Sequence, residues 1–350
     1  MKDYYAIGLM SGTSLDGLDI CYVRLSYPEI QFEIIKAETF PYSDEWKNRL
    51  KNSIYLSGEG LTKLDFDYGI HLGKTVHQFL HENQIEKVDF IASHGHTVFH
   101  NPQENYTLQI GKGQAIFTET GIKTVFDFRS QDVLLGGQGA PLVPVGDELL
   151  FSEFDSCLNL GGFSNISFKQ NGKRIAFDIS PFNIVLNFLV EKAGKNYDEN
   201  GNLARKGKLI PQLLSKLNEF EFYKSAPPKS LGIEFCNEFI FPLIKDSPEK
   251  TEDLLATFTR HFAVQISAVF NQNRLKNVLI SGGGAYNQFF MEELKSRTSC
   301  EIILPEKNII EYKEALIFAL MGMLKIENQT NIFSSVTGAK KNHSSGLIVP

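Results

Sequence analysis

No stretch of about 18 consecutive apolar residues occurs in this 350-residue chain, which excludes a hydrophobic helix long enough to cross a bilayer, and no membrane partner is expected. Basic residues are not in excess: 35 Lys and Arg stand against 41 Asp and Glu, a net charge of -6. The positive footprint that tracks a phosphodiester backbone is therefore absent, and nucleic acid is not an expected partner. Cysteine is scarce. The four, Cys21, Cys157, Cys236 and Cys300, lie far apart and form no CxxC pair, which argues against a disulfide framework and fits a reducing compartment. The opening Met1-Lys2-Asp3-Tyr4-Tyr5 enters a strand pattern at once, without a basic end followed by an apolar core, so a cytoplasmic protein is expected. Two nucleotide signatures are also missing. There is no GxxxxGK[ST], and Gly111-Lys112-Gly113 lacks the third glycine of a dinucleotide loop, which argues against a P-loop enzyme and a Rossmann dehydrogenase.

What is present is ordinary globular material, 42% hydrophobic and 22% charged, and disorder, collagen and coiled coil have no support in it. At about 150 residues per domain the length suggests two domains. Tyr5 to Met10, Leu18 to Arg24 and Gln31 to Ala37 read as three strands of an antiparallel meander, reversed at Ser11 to Gly17 and at Tyr27-Pro28-Glu29. A helical stripe over Leu61 to Asn83 and an apolar run at Val88 to Ala92 follow. The second half repeats the opening: strand Ser156 to Leu160, turn Gly161 to Asn165, strand Ile166 to Lys169, strand Arg174 to Ile179. Helices are expected near 181–193, 208–217, 232–239 and 249–271, the last starting after Pro248. Asn277 to Ser281 is a buried-looking strand closed by Gly282-Gly283-Gly284, with a helix after it. The pattern predicts an α/β protein of two domains, 1–134 with about 325–350 and 135–324, parted in the Gly- and Pro-rich stretch 135–144, with a crevice between them.

Three glycine-bearing turns, Ser11 to Gly17, Gly161 to Asn165 and Gly282 to Gly284, sit directly after predicted strands. Glycine lets main-chain N–H groups approach a ligand and form a concavity suited to phosphate oxygens. Each turn alone serves equally well for plain chain reversal. Three of them in two duplicated halves point to a ligand with phosphate oxygens.

These residues carry a resemblance. Gly8-Leu9-Met10-Ser11-Gly12-Thr13-Ser14-Leu15-Asp16-Gly17-Leu18-Asp19 resembles the opening of the anhydro-N-acetylmuramic acid kinases, relatives of the sugar kinases, actin and the heat-shock chaperone ATPases. Ser93-His94-Gly95-His96-Thr97-Val98, Asp127-Phe128-Arg129, 136–144, 159–165, Pro227-Pro228-Lys229-Ser230, 282–287, 313–319 and 335–339 follow in the family's order. The resemblance implies two ribonuclease-H-like (actin-like ATPase) domains around a central cleft. It implies ATP held by Gly12, Thr13, Ser14, Leu15, Asp16, Gly17, Leu18 and Asp19, by Gly161, Gly162 and Asn165, and by Gly282, Gly283 and Gly284 beside the adenosine. The implied reaction opens the 1,6-anhydro bond of the sugar with water and transfers the γ-phosphoryl group to O6, giving N-acetylmuramate 6-phosphate in cell-wall recycling. A homodimer is implied as well.

The family's aspartate heads an Asp-Thr-Gly-Pro-Gly-Asn segment that here reads Asp178-Ile179-Ser180-Pro181-Phe182-Asn183. Asp178 is the expected general base; its competing role is to cap the helix that follows. Ile179 and Phe182 are expected to narrow the pocket and bear on which sugar fits. Glu314 is a candidate for sugar hydroxyls, Asp127 and Arg129 for orienting substrate, and His94 and His96 for lining the sugar side. His94, His96 and His100 have no second ligand cluster, so zinc is not expected; Mg²⁺ would arrive with ATP, held largely by phosphate and water, with ligands unknown. Two other readings stay open: a kinase for a different amino sugar, and a nucleotide-binding regulator without phosphotransfer.

Overall fold

A computed structural model describes every residue except Thr13, Ser14, Lys192, Ala193 and Asp246. The chain divides into two compact units, one of Met1–Phe151 with Tyr312–Pro350 and one of Ser152–Glu311. The crossings at 151/152 and 311/312 differ from the expected boundaries. The stretch 135–144 stays in the first unit because the following helix, Pro144–Leu150, buries Val145 and Gly146 there, Gly146 lying against Ile317.

In the first unit β1 (Lys2–Ser11), β2 (Gly17–Tyr27) and β3 (Gln31–Pro41) form the expected meander, each longer than read from sequence. β4 (Phe90–Ser93) lies parallel to β1, and β5 (His96–Asn101) and β6 (Tyr106–Ile110) make a separate hairpin. β7 (Thr124–Phe126) and the terminal strand Leu347–Val349 complete the main sheet, whose order is terminal strand-β7-β4-β1-β2-β3. The helix Gly58–Glu82 starts at Ser57, whose side chain accepts the Gly60 N–H, and it buries Leu64, Tyr68, Leu72, Val76 and Phe79 at helical spacing. The helix Lys307–Ile326 touches β1 because Gly8 has no Cβ; one added there would lie 1.8 Å from the Ala315 carbonyl oxygen.

The second unit repeats that order. β8 (Ser156–Leu160), β9 (Phe163–Gln170) and β10 (Lys173–Pro181) form a meander, and β11 (Asn277–Ser281) and β12 (Glu301–Ile303) continue parallel to β8, giving β10-β9-β8-β11-β12. In both sheets the first strand is flanked by an antiparallel second strand and a parallel fourth, the ribonuclease-H-like arrangement. The helix Thr251–Gln272 packs Phe258, Phe262, Ile266 and Phe270 into the core as their spacing predicts, although it begins after Lys250 and not at Pro248. The segment expected as one helix over 232–239 is split, Ile233–Phe235 passing through a π-turn at Cys236–Ile240 into Phe241–Lys245.

Candidate active site

The second unit places its polar residues in one cross-strand row. Asp178 on β10 pairs with Asn165 on β9, Asn165 with Asn159 on β8, and Asn159 with Ser281 on β11. Directly paired residues present their side chains to the same face of a sheet, so the expected base shares one side with Ser281, directly before one glycine turn, and Asn159, two residues before the other. The first unit repeats the row as Thr39, Asp19 and Met10, and there the Thr39 hydroxyl donates to Asp19 Oδ1 at 2.6 Å.

Asp178 is half-buried on the edge strand. Its main-chain N–H donates to Lys229 O at 3.1 Å, and Leu231 N–H donates to its Oδ2 at 2.8 Å. Burial pushes its carboxyl up to about 6, against the Leu231 N–H, which favours the charged form. The helix Asn183–Glu191 does not need Asp178 as its cap: Phe182 N–H and Ile184 N–H donate to Gly162 O, and Asn183 N–H donates to Gly161 O. A trans peptide aims its N–H opposite to its C=O, so the N–H groups of Gly162 and Phe163 are turned away from that helix start and are offered by the turn. The turn itself is only Gly161-Gly162. Asn165, expected within it, already belongs to β9, and Ser164 is tied to Ser180 through hydroxyls 2.9 Å apart.

Gly162 and Gly283 have φ outside the left-handed region, and a Cβ on either would meet nothing within 4 Å. Neither packing nor backbone strain asks for glycine there, so both turns leave room for close approach from outside. Gly282 and Gly284 are different. Gly282 has φ 85° with its Cβ direction blocked by Asn159 Oδ1 at 2.5 Å, and Gly284 is blocked by the Phe182 ring at 2.4 Å. The expectation that Ile179 and Phe182 narrow the pocket is corrected: Ile179 is 2% and Phe182 0% exposed, both in the apolar core, with the Phe182 ring edge-on to Phe290 at 4.6 Å. Strand alternation and the bulge between Asp178 and Ser180 turn them to the helix side.

In the first unit β1 ends at Ser11 and β2 starts at Gly17, so Gly17, Leu18 and Asp19 are strand residues. Of the expected first turn, Thr13 and Ser14 lie outside the described residues; Leu15 has φ 59°, and its N–H donates to Gly12 O at 3.4 Å, while Asp16 O accepts Tyr42 N–H. Glu314 is half-buried on the helix Lys307–Ile326. Burial, then the nearby Asp19 carboxylate, raises its pKa, with Arg129 and Lys313 opposing. Beside it Lys313 Nζ and Asp147 Oδ1 form a buried ion pair at 2.6 Å, which sequence reading missed because the partners are remote in the chain.

His94 is spent within the protein. Its Nδ1 meets Gly95 O at 2.8 Å and must carry the proton, since a carbonyl only accepts, and Nε2 accepts from Arg129 Nε at 3.0 Å. Burial and then Arg129 hold His94 neutral, well below the usual histidine range. Arg129 also donates to Gly139 O at 2.8 Å, and burial lowers it to about 10. Gly139 N–H in turn donates to the buried Asp132, which accepts the Thr337 hydroxyl. The 136–144 and 335–339 motifs thus form a lock that aims Arg129. Asp127 accepts Ser130 N–H at 3.2 Å from a left-handed backbone, φ 54°, and so starts the helix Ser130–Leu134. Among the described residues no group of three His, Cys, Asp or Glu side chains is gathered as a metal site, and no helix is long and apolar enough to cross a membrane.

A sequence model of the family described as anhydro-N-acetylmuramic acid kinase matches residues 4–350. A protein of that description from Francisella tularensis subsp. novicida is 33% identical, covering 99% of each chain. One from Haemophilus influenzae is 34% identical, covering 100% of this chain and 99% of that one. Among solved structures the chain is similar to component A of (R)-2-hydroxyglutaryl-CoA dehydratase from Acidaminococcus fermentans, 13% identical with a TM-score of 0.48, covering 91% of this chain and 96% of the other.

Proposed function

The chain belongs to the anhydro-N-acetylmuramic acid kinase family, and on that premise we propose that it is an ATP-dependent cytoplasmic kinase that opens 1,6-anhydro-N-acetylmuramic acid with water and phosphorylates O6. The observation that carries the reading is Asp178: a half-buried carboxylate, raised to about 6, in one row with Asn165 and Asn159 next to a glycine turn. A base near that value is largely ionised at neutral pH yet basic enough to take a proton.

Asp178 takes a proton from a water whose oxygen bonds to C1. The C1–O6 bond breaks, O6 attacks the γ-phosphorus, and ADP leaves. Nucleotide phosphates are assigned to the N–H groups of Gly162 and Phe163 and to the turns at Gly12 to Asp19 and Gly282 to Gly284. The sugar is assigned to His96, Arg129 and Glu314, with His94 acting through Arg129 and Asp127 through the turn that carries it. A divalent ion would supply charge neutralisation of the triphosphate when bound; no carboxylate cluster is gathered for it among the described residues, and Asp16 in the first turn and Asp19 near the start of β2 are the candidates to reach it through water. A homodimer is part of the proposal and is checked by light scattering.

The other two readings lose their support. A different sugar is suggested by the departures at Ile179, Ser180 and Phe182, but all three are buried, Ser180 against the Ser164 hydroxyl, and a regulator without phosphotransfer has no use for a raised carboxyl at Asp178. The test is incubation with ATP, Mg²⁺ and a panel of anhydro and ordinary amino sugars. Phosphorylation of the anhydromuramate is the expected result; product only from another sugar, or nucleotide binding without product, overturns the proposal.

A further inference from the structure

We propose that the hydroxyls of Tyr68, Tyr42 and Ser11 form a one-way hydrogen-bond chain that fixes His96 as a neutral donor, through Nε2–H, to an uncharged oxygen of the sugar. The identity of the acceptor rests on the kinase reading above; the chain does not.

Its direction follows from counting protons. Tyr42 OH donates to Ser11 Oγ at 2.9 Å. A phenol has one proton, so in the 2.5 Å contact between Tyr42 OH and Tyr68 OH Tyr42 accepts and Tyr68 donates. Ser11 has spent an acceptor site on Tyr42 and has one proton of its own, and His96 Nδ1 lies 3.3 Å from Ser11 Oγ. Among the described residues Nδ1 is the acceptor left within hydrogen-bond distance of the buried Ser11 proton, so Nδ1 accepts, and a neutral imidazole must then carry its proton on Nε2. All four side chains are buried, so water does not compete for the links. A protonated His96 would turn Nδ1 into a second donor to Ser11 and leave the buried Ser11 proton without its acceptor, and burial independently holds this imidazole down to about 4.

The other end of the ring is unspent. Among the described residues His96 Nε2 forms no hydrogen bond to the protein, and the residue keeps 5% of its surface exposed. Two residues earlier His94 holds the opposite tautomer, with both nitrogens consumed by Gly95 and Arg129. The pair divides the work: His94 aims a cation, and His96 presents an N–H. Tyr42 and Tyr68 are positioning residues, since they act only through Ser11 and His96.

Two-bond ¹H–¹⁵N correlation spectra of the full-length protein, labelled on histidine and free of ligand, read the tautomer directly; His96→Gln assigns the signal. We expect a single Nε2–H pattern for His96 and an Nδ1–H pattern for His94. Tyr42→Phe should blur the first pattern and raise KM for the sugar about tenfold, the weight of one hydrogen bond, leaving KM for ATP unchanged. His96→Leu, which removes the N–H, should match or exceed the Tyr42→Phe loss. An Nδ1–H pattern or a mixture at His96 in the parent overturns the proposal even if Tyr42→Phe does not fold. So does an unchanged sugar KM in His96→Leu. Failure of every sugar to react would strike the kinase reading instead, because the tautomer is read without substrate.

Discussion

Leu231 N–H holds Asp178 Oδ2 at 2.8 Å, so one carboxylate oxygen of the proposed base is committed to the main chain of a neighbouring segment and the other is left for chemistry. A main-chain donor cannot change its protonation state, and it fixes the carboxylate without neutralising it. Burial, which disfavours the ion, outweighs it and leaves the carboxyl at about 6.

The activity should therefore rise with pH through about 6 and level off above it, because only the ionised carboxylate accepts a proton. Asp178→Asn should lower kcat by about 10²–10⁴-fold and leave ATP affinity nearly intact. A pH profile flat from 5 to 8 in kcat/KM would remove Asp178 from the role of base.

The same residue should cost stability where it works. Its folded pKa lies above the ordinary aspartate value of about 4, so the favourable contribution of its neutral form is complete below that value and is lost as pH rises through about 6. Asp178→Asn keeps an oxygen for Leu231 N–H and removes the ionisation. Its melting temperature should exceed the parent's at pH 7.5, with the gap closing at pH 4, as followed by differential scanning calorimetry. A variant less stable than the parent at pH 7.5 contradicts the buried-ion account.

Adjacent glycines should separate structure from binding. Gly283→Ala adds a methyl group into open space and should change stability by no more than about 0.5 kcal/mol, while ATP titration by calorimetry shows weakened binding. Gly282→Ala forces alanine to φ 85° against Asn159 and Leu160 and should destabilise by about 1–3 kcal/mol. Unaltered ATP affinity in Gly283→Ala would mean that the nucleotide does not approach this turn.

Restoring small side chains in the 178–183 segment should not restore anything. Phe182 lies against Phe262 and Phe290 and fills the space over Gly284, so Phe182→Ala should cost about 3–5 kcal/mol without altering which sugar is preferred. A changed order of preference in the sugar panel would return Phe182 to the pocket.

Much of this arrangement was legible in the residues. Ser156–Leu160 and Asn277–Ser281 stand where their short apolar runs between turn signals put them, and the repeated meander announced two similar sheets. Periodicity could not tell which face of β10 Ile179 would take, because the bulge between Asp178 and Ser180 resets alternation just before Phe182 leaves the strand. Ser164 and Asn165 have turn chemistry but serve as in-strand partners of Ser180 and Asp178. The Leu231 N–H has no side-chain signature, and the hydroxyl chain to His96 draws on β1, the end of β3 and a helix, a convergence that exists only once the first unit has folded.

Lys313 and Asp147 make the last prediction. Their side chains are 4% and 5% exposed and 2.6 Å apart, with the Lys313 ammonium also over the Phe151 ring at 5.3 Å. Two charges withdrawn from water at this depth lose hydration that their attraction roughly repays, but one alone is uncompensated. Lys313→Met should therefore destabilise by about 3–5 kcal/mol, seen as a lower urea midpoint, and it should raise the Glu314 pKa further, because Lys313 is one of the two cations that hold it down. Lys313→Met combined with Asp147→Leu removes both charges and should recover part of the lost stability, since the coupling between contacting residues is lost only once. A double variant as unstable as the sum of the two single ones would show that the pair contributes through packing alone.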